Sequence, residues 1–294
     1  MRALFSALLA AAVWTLAACA PAAQREPALW RIADGDSEIW LFGSVHMLSA
    51  DLAWRGPRVD AALAGAEEFV TETDMPGPNS ASEYTAYVQA HGFLPAGQTL
   101  SSQLSPAEAA QLARVIRTLN LDPVQFQQQR PWYAAIQLSF QDQTRSGQSA
   151  EAGVENVLAA EATRQGKRFS SLETLDQQLD VLSGLTPEVE RHFLAVTLNE
   201  IEQQDTATVA EMDRAWARGD TATLKRLFAE QWRESGDALH EAIILNRNRA
   251  WAGEIERRLH GSGRIFIAVG AAHLIGDGSV VDLLRARGIE VEGP

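Results

Sequence analysis

Cysteine is nearly absent from this 294-residue chain: there is one, Cys19. A single thiol excludes an internal disulfide framework and any site built from several thiolates. Long apolar runs are missing too. The longest, residues 3–18, is too short and too rich in alanine to span a bilayer comfortably. A basic stripe is also lacking, and the formal net charge is −13. That argues against nucleic acid as a partner and against broad adhesion to anionic lipid. Several catalytic signatures have no counterpart. There is no HExxH helix, no Gly-x-Ser-x-Gly elbow and no GxGxxG, and the glycines between Gly270 and Gly278 lack the lysine and serine of a P-loop. A serine or cysteine nucleophile is therefore disfavoured, as is phosphate cradling.

The run at residues 3–18 follows a single charge, Arg2, and ends in Leu16-Ala17-Ala18-Cys19. This pattern reads as a targeting segment whose end resembles a bacterial lipobox, with Cys19 as lipidation site and new N-terminus. Ala20 and Pro21 follow, with no aspartate to retain the protein at the inner membrane. The expectation is a lipoprotein held at the outer membrane, on the periplasmic face of the envelope, since several acyl chains give stable anchoring. An ordinary cleaved signal with an incidental cysteine is the alternative. Removing residues 1–18 takes away one arginine and moves the net charge from −13 to −14. Residues 19–28 read as a tether and 29–294 as the folded domain, long enough to bury a substantial core.

What is present is a short pattern that occurs twice. Ile39-Trp40-Leu41-Phe42 ends in Gly43-Ser44-Val45-His46, and Ile265-Phe266-Ile267-Ala268-Val269 ends in Gly270-Ala271-Ala272-His273. Apolar runs rich in Ile, Val and Phe that stop at glycine read as buried strands. Each histidine then falls where the chain leaves the sheet, at the strand ends where α/β folds bind ligands. Residues 29–42 read as a hairpin leading into the first buried strand. Further strands are expected at 67–73, 167–172 and 289–291, with helices at 57–64 and about 279–287. Helix starts are marked at Ser105-Pro106 and Thr186-Pro187. The second of these helices places Val189, Phe193, Val196 and Ile201 on its apolar face. The expected fold is α/β with α+β character: a small mixed β-sheet carries the two strand-end GxxH motifs, and long helical insertions around 80–165 and 176–260 cover it.

Two imidazoles and a carboxylate at one sheet edge make a plausible seat for a water-activating divalent metal. His46 and His273 supply the nitrogens, and Glu72 is the carboxylate, as ligand or general base. This donor set does not choose among zinc, manganese and cobalt, and the same groups are also competent for metal-free acid–base work. Glu173 has two readings: Ser170-Ser171-Leu172-Glu173 fits a capping box, while Gln177, four residues on, shares its helix face and points either way. Arg247 clamps a substrate carboxylate or oxyanion, or else pairs with Glu72 or Glu173. Asn248 is its neighbour, and adjacent helical residues diverge by about 100°. His91, His192, His240 and His260 read as surface or packing residues, and Trp132, Trp216, Trp232 and Trp251 as helical core.

In order, Gly43-Ser44-Val45-His46, Glu72 in Val70-Thr71-Glu72-Thr73-Asp74, Leu172-Glu173-Thr174 with Gln177, Arg247-Asn248 and Val269-Gly270-Ala271-Ala272-His273-Leu274 resemble the motifs of the TraB/PrgY/GumN family, which includes the TIKI proteins. The likeness runs from about Leu29 to the C-terminus. It implies a metal-dependent peptidase with a GxxH pair and a glutamate at the site, and leans toward manganese or cobalt. Glu72, Arg247, Glu173 and Asn248 are then the candidate catalytic residues, and His46, His273 and Glu72 the metal ligands. The partners expected are a peptide or small-molecule substrate and, through the lipid on Cys19, a membrane. A non-catalytic lipoprotein that sequesters a peptide or a haem-like ligand is the main rival, and a metal-free esterase-like hydrolase the second.

Overall fold

The computed structural model describes residues 26–74, 80–203 and 206–294. The targeting segment, Cys19 and most of the expected tether lie outside the described residues. Glu26, Pro27 and Ala28, assigned to that tether, are buried. The Glu26 carboxylate accepts the Arg58 N–H at 3.0 Å and so caps the helix that opens with Pro57.

The chain begins with the expected hairpin, β1 (Leu29–Ala33) and β2 (Ser37–Ser44), whose turn is held by the Asp34 carboxylate accepting the Ser37 N–H at 2.9 Å. Next come β3 (Leu48–Ser49), α1 (Pro57–Gly65), β4 (Glu68–Thr71) and α2 (Ser80–His91). They are followed by α3 (Pro106–Thr118), α4 (Pro131–Arg145), β5 (Gln148–Ser149), α5 (Val154–Arg164) and β6 (Arg168–Ser171). A helical stretch then runs through α6 (Leu175–Ser183), α7 (Pro187–Gln203), α8 (Thr206–Ala217), α9 (Thr221–Ser235) and α10 (Asp237–His240). A π turn, Glu241–Leu245, leads into α11 (Asn246–Leu259), and β7 (Gly263–Gly270), α12 (Ala271–Leu274) and α13 (Val280–Ala286) close the fold. Among the described residues no helix is long and apolar enough to cross a membrane.

Five strands form one sheet in the order β1-β2-β7-β4-β6. Only β1 runs antiparallel to its neighbour; β2, β7, β4 and β6 are parallel. Parallel strands covered on both faces need apolar residues at successive positions, and Ile39, Leu41, Phe42, Phe69, Val70 and Phe266–Val269 are all buried. Phe266, Phe69 and Phe169 are paired in register across three strands, with ring centroids 6.0 and 5.7 Å apart. Because these four strands share one direction, their carboxyl ends share one edge. His46, His273, Glu72 and Glu173 each follow one of those ends.

The GxxH strands are immediate neighbours, with Gly43 opposite Val269 and Ser44 opposite Gly270. A Cβ on Gly43 would stand 3.0 Å from the Ala271 Cα, so the close packing of the two turns requires glycine there. Gly43→Ala is expected to lower the thermal midpoint, because the atom it meets is backbone; an unchanged melting curve would contradict that packing.

The helical segments do more than cover the sheet. Leu112, Val115 and Ile116 of α3, Ala134, Ala135 and Leu138 of α4, and Leu194, Leu198 and Ile201 of α7 make a second apolar core, apart from the one around the sheet. On α7 the buried face is Glu190, Leu194, Thr197, Leu198 and Ile201, one residue round from the stripe expected from Val189, Phe193 and Val196. A charged residue opens this face, since Glu190 in the first turn is buried in an ion pair with Arg130, and an apolar pattern does not register such a position. Residues 289–291 form no strand either; the chain there meets β1 through one bridge, Arg31 with Glu292.

Candidate active site

Gly270 marks the centre of the site. A Cβ built on it would lie 3.2 Å from Glu72 Oε1, 3.6 Å from His273 Cδ2 and 3.8 Å from His46 Nε2. The imidazole near the start of the fold, the imidazole near its end and the predicted carboxylate thus face one point, held open because residue 270 has no side chain. His46 is the exposed member, with 66% of its side chain accessible, against 5% for His273 and 7% for Glu72. Access is therefore over His46. A recess of about 470 Å³ lined by Leu29, Arg31, Trp40 and Arg58 holds none of these residues.

His273 is clamped at both nitrogens. Nδ1 lies 2.6 Å from Asn248 Oδ1, and Nε2 lies 3.2 Å from Arg247 Nη1. A guanidinium can only donate, so Nε2 accepts and the proton sits on Nδ1, donated to Asn248. The ring also packs on Trp251, with centroids 4.4 Å apart. Burial, with Arg247 and His46 nearby, depresses its pKa to about 3, so the ring is neutral at pH 7.

Glu72 is held from three directions. Oε1 accepts the Gly270 N–H at 2.6 Å, while Oε2 accepts from Arg247 Nη2 at 2.6 Å and Gln178 Nε2 at 3.2 Å. Burial pushes the carboxyl up, but His273, His46 and Arg247, with the Gly270 N–H, more than offset it and bring it to about 2. With His273 neutral, it is His46, Arg247 and the backbone donor that keep Glu72 ionised at pH 7. So low a pKa makes Glu72 a poor proton acceptor, which favours the ligand role over the general base.

Arg247 departs from the substrate-clamping role. Nε donates to both Glu173 oxygens (3.0 and 3.2 Å), Nη1 to the Ile243 carbonyl and His273 Nε2 (both 3.2 Å), and Nη2 to Glu72 Oε2 and Glu173 Oε1 (both 2.6 Å). Every N–H it carries is occupied by the protein in this arrangement. It does what the other reading offered and joins Glu72 to Glu173. Its Cζ lies 4.5 Å over the Trp251 ring, and the Trp251 N–H donates to Glu173 at 3.2 Å, so this tryptophan is site wall as well as core. Burial raises the Glu173 pKa, with Arg247 opposing the rise.

Three further expectations are corrected. Glu173 is not the end of a capping box; that motif is made one residue later, by Thr174 and Gln177. Gln177 is committed there, and the glutamine that reaches Glu72 is Gln178. Arg247 and Asn248 do converge on one group despite their 100° divergence, because the short asparagine and the long arginine grip opposite edges of the His273 ring. Asn248 is fully buried, with Nδ2 donating to the Gly278 carbonyl at 2.9 Å and Oδ1 facing His273 Nδ1, so both ends of its amide are engaged by the protein. The other histidines stay away from the site; His192, for example, bonds the Ser235 carbonyl.

One site residue has no signal in the sequence. Glu155 Oε1 lies 2.6 Å from His46 Nδ1 and also accepts from the Ser44 hydroxyl. Its carboxylate raises the His46 pKa to about 9, against the burial of the ring's inner edge. Each GxxH histidine therefore has an oxygen acceptor on Nδ1, charged for His46 and neutral for His273, and turns Nε2 toward the pocket. Such partners are typical of metal-binding histidines. Glu72 and Glu173 flank the Arg247 guanidinium and Glu155 flanks the His46 ring, so three carboxyl groups meet two cationic side chains and the balance is acidic. As they stand, no three His, Cys, Asp or Glu side chains among the described residues are drawn close enough to hold an ion.

A family model described as the TraB/PrgY/gumN family matches residues 28–293. The chain is 27% identical over 264 residues to the uncharacterised protein YbaP of Escherichia coli K12, covering 88% of this chain and 92% of that protein. YbaP of Shigella flexneri matches to the same extent. The metalloprotease TIKI2 of Danio rerio is 28% identical over 163 residues, 46% of this chain and 31% of that protein.

Proposed function

Because the chain belongs to the TraB/PrgY/gumN family, we propose that it is a metal-dependent hydrolase, peptidase-like in its substrate, with its reaction centre between His46, His273 and Glu72. The observation that supports this reading is the convergence of all three on the point over Gly270. The donor chemistry fits a divalent ion: two imidazoles with Nδ1 engaged elsewhere, one ionised carboxylate and an excess of acidic groups around them. His46 Nε2, His273 Nε2 and Glu72 would hold it, and manganese, cobalt and zinc all suit such a set. When bound, the ion supplies Lewis acidity and a water whose pKa is brought near neutrality. The Arg247–His273 hydrogen bond is the contact this arrangement gives up. Arg247 otherwise keeps Glu72 and Glu173 in place, and Gln178 and the Gly270 N–H fix the orientation of Glu72. His46, exposed at the mouth, has the room to complete the set. The same reading anchors the protein in the bacterial envelope through Cys19, and acyl labelling abolished by Cys19→Ser tests that part.

The deciding experiment strips the purified protein of metal, restores Mn²⁺, Co²⁺ or Zn²⁺ singly, and follows cleavage of a peptide mixture by mass spectrometry. Turnover should return with metal and fall about 100-fold or more in His46→Ala and in His273→Ala. Turnover indifferent to chelators would move the assignment to metal-free hydrolysis, and tight ligand binding without turnover to sequestration.

Loading also carries a pH signature. His46 must release the Nε2 proton of its imidazolium, a form that the Glu155 carboxylate favours up to about pH 9, so raising the pH favours binding. Calorimetry should find metal affinity rising about tenfold per pH unit up to that value and levelling above it; affinity flat from pH 7 to pH 9 would count against His46 as a ligand.

A further inference from the structure

We infer that residues 148–155 form a clip whose task is to position His46, with Glu155 as the positioning residue that fixes which ring nitrogen faces the pocket. The inference rests on the hydrolase reading for its purpose, though not for its geometry.

The two GxxH turns are built differently. After Gly270 the chain enters α12 directly, and His273 is buried within that turn of helix. After Ser44 no helix follows, and His46 sits on irregular chain with most of its ring exposed. An exposed imidazole on such a segment has rotamer freedom that must be removed before it can serve a fixed site. The groups that remove it come from a stretch more than a hundred residues away.

Residues 148–155 contact the first turn on both sides of His46. Beyond the histidine, β3 and β5 pair Leu48 with Ser149 and Ser49 with Gln148. Before it, the Val154 N–H donates to the Val45 carbonyl at 3.0 Å. Between these contacts, Gly153 lies so close that a Cβ there would stand 2.2 Å from the His46 carbonyl oxygen. Only glycine permits that approach. Val154 is fully buried and seats the first turn of α5. The next residue, Glu155, then takes both side-chain donors of the motif on one oxygen, the Ser44 hydroxyl and His46 Nδ1. With Nδ1–H committed, Nε2 is the nitrogen presented toward Gly270 and Glu72. The second motif has alanine at the position of Ser44 and uses Asn248 in place of an acid, so this device belongs to the first turn alone.

The test uses the full-length protein labelled with ¹⁵N-histidine. Free of metal, it should give a strongly downfield Nδ1–H proton resonance for His46, identified by its loss in His46→Ala. Glu155→Ala should abolish that resonance, while the isosteric Glu155→Gln, which keeps an acceptor oxygen, should retain it; the pair separates loss of positioning from loss of fold. Calorimetric titration with Mn²⁺ or Zn²⁺ at pH 9, where the proton on His46 competes least in parent and variants alike, should show affinity about 10–100-fold weaker in Glu155→Ala, partly recovered in Glu155→Gln. Survival of the resonance in Glu155→Ala, or metal affinity there within twofold of the parent while His46→Ala abolishes binding, overturns the inference. Should Glu155→Ala remove the resonance while His46→Ala leaves metal binding untouched, the positioning role stands and the metal reading falls.

Discussion

Arg247→Met should destabilise the protein by about 3–5 kcal/mol, the usual consequence of removing one partner from a buried ion pair. Arg247 is 9% exposed and its guanidinium is bonded to both Glu72 and Glu173. Methionine matches much of its length but none of its charge, so the two carboxyls would face each other without a cation. For a domain of this size the thermal midpoint should fall by roughly 10 °C. The loss has a pH signature of definite sign. Glu72 titrates near 2 in the fold against an ordinary 4.5. A depressed carboxylate contributes stability that is complete above its unfolded pKa and disappears as the pH falls through the folded one. The gap between variant and parent should thus be widest at neutral pH and narrow from about pH 4.5 down to pH 2. Calorimetric melts across that range measure it, and a gap independent of pH would mean that Arg247 contributes packing only.

Gly270→Ala should do the reverse, sparing the fold and disabling the site. The residue has φ −50° and ψ 135°, which alanine adopts freely, and replacing glycine slightly reduces the freedom of the unfolded chain. The added methyl would meet no backbone, but it would fill the point that His46, His273 and Glu72 share. Hydrolysis and metal affinity should each drop about 100-fold or more, since displacements of an ångström at a reacting centre have effects of that order. Unfolding curves should overlay those of the parent within about 1 kcal/mol. Full activity with a normal melt would mean that the reaction takes place elsewhere.

The parts of this site legible in the sequence are those fixed by the sheet. A buried parallel strand reads as a continuous apolar run, and a glycine at its end marks where the chain turns out. That signal locates His46 and His273 and, through the neighbouring strand, Glu72. Residues that approach from helices carry no comparable mark. Glu155 sits among the alanines and glutamates of α5, and the close approach that makes Gly153 obligatory is a tertiary fact. Gln178 was hidden by a shift of one residue, since Thr174 rather than a serine of β6 caps α6. The convergence of Arg247 and Asn248 defeats a rule about helix faces because side-chain length, not direction alone, decides what a residue reaches. Glu190, at the start of the buried face of α7, carries no apolar mark for a similar reason: its partner, Arg130, comes from the residue preceding another helix.

Anomalous diffraction from crystals soaked in Mn²⁺, Co²⁺ or Zn²⁺ tests the central claim most directly. The account predicts one strong peak over Gly270, bonded to Nε2 of His46, Nε2 of His273 and the Glu72 carboxylate, and absent from His46→Ala crystals. A peak that avoids either imidazole, or no peak in that pocket with any of the three ions, would contradict it.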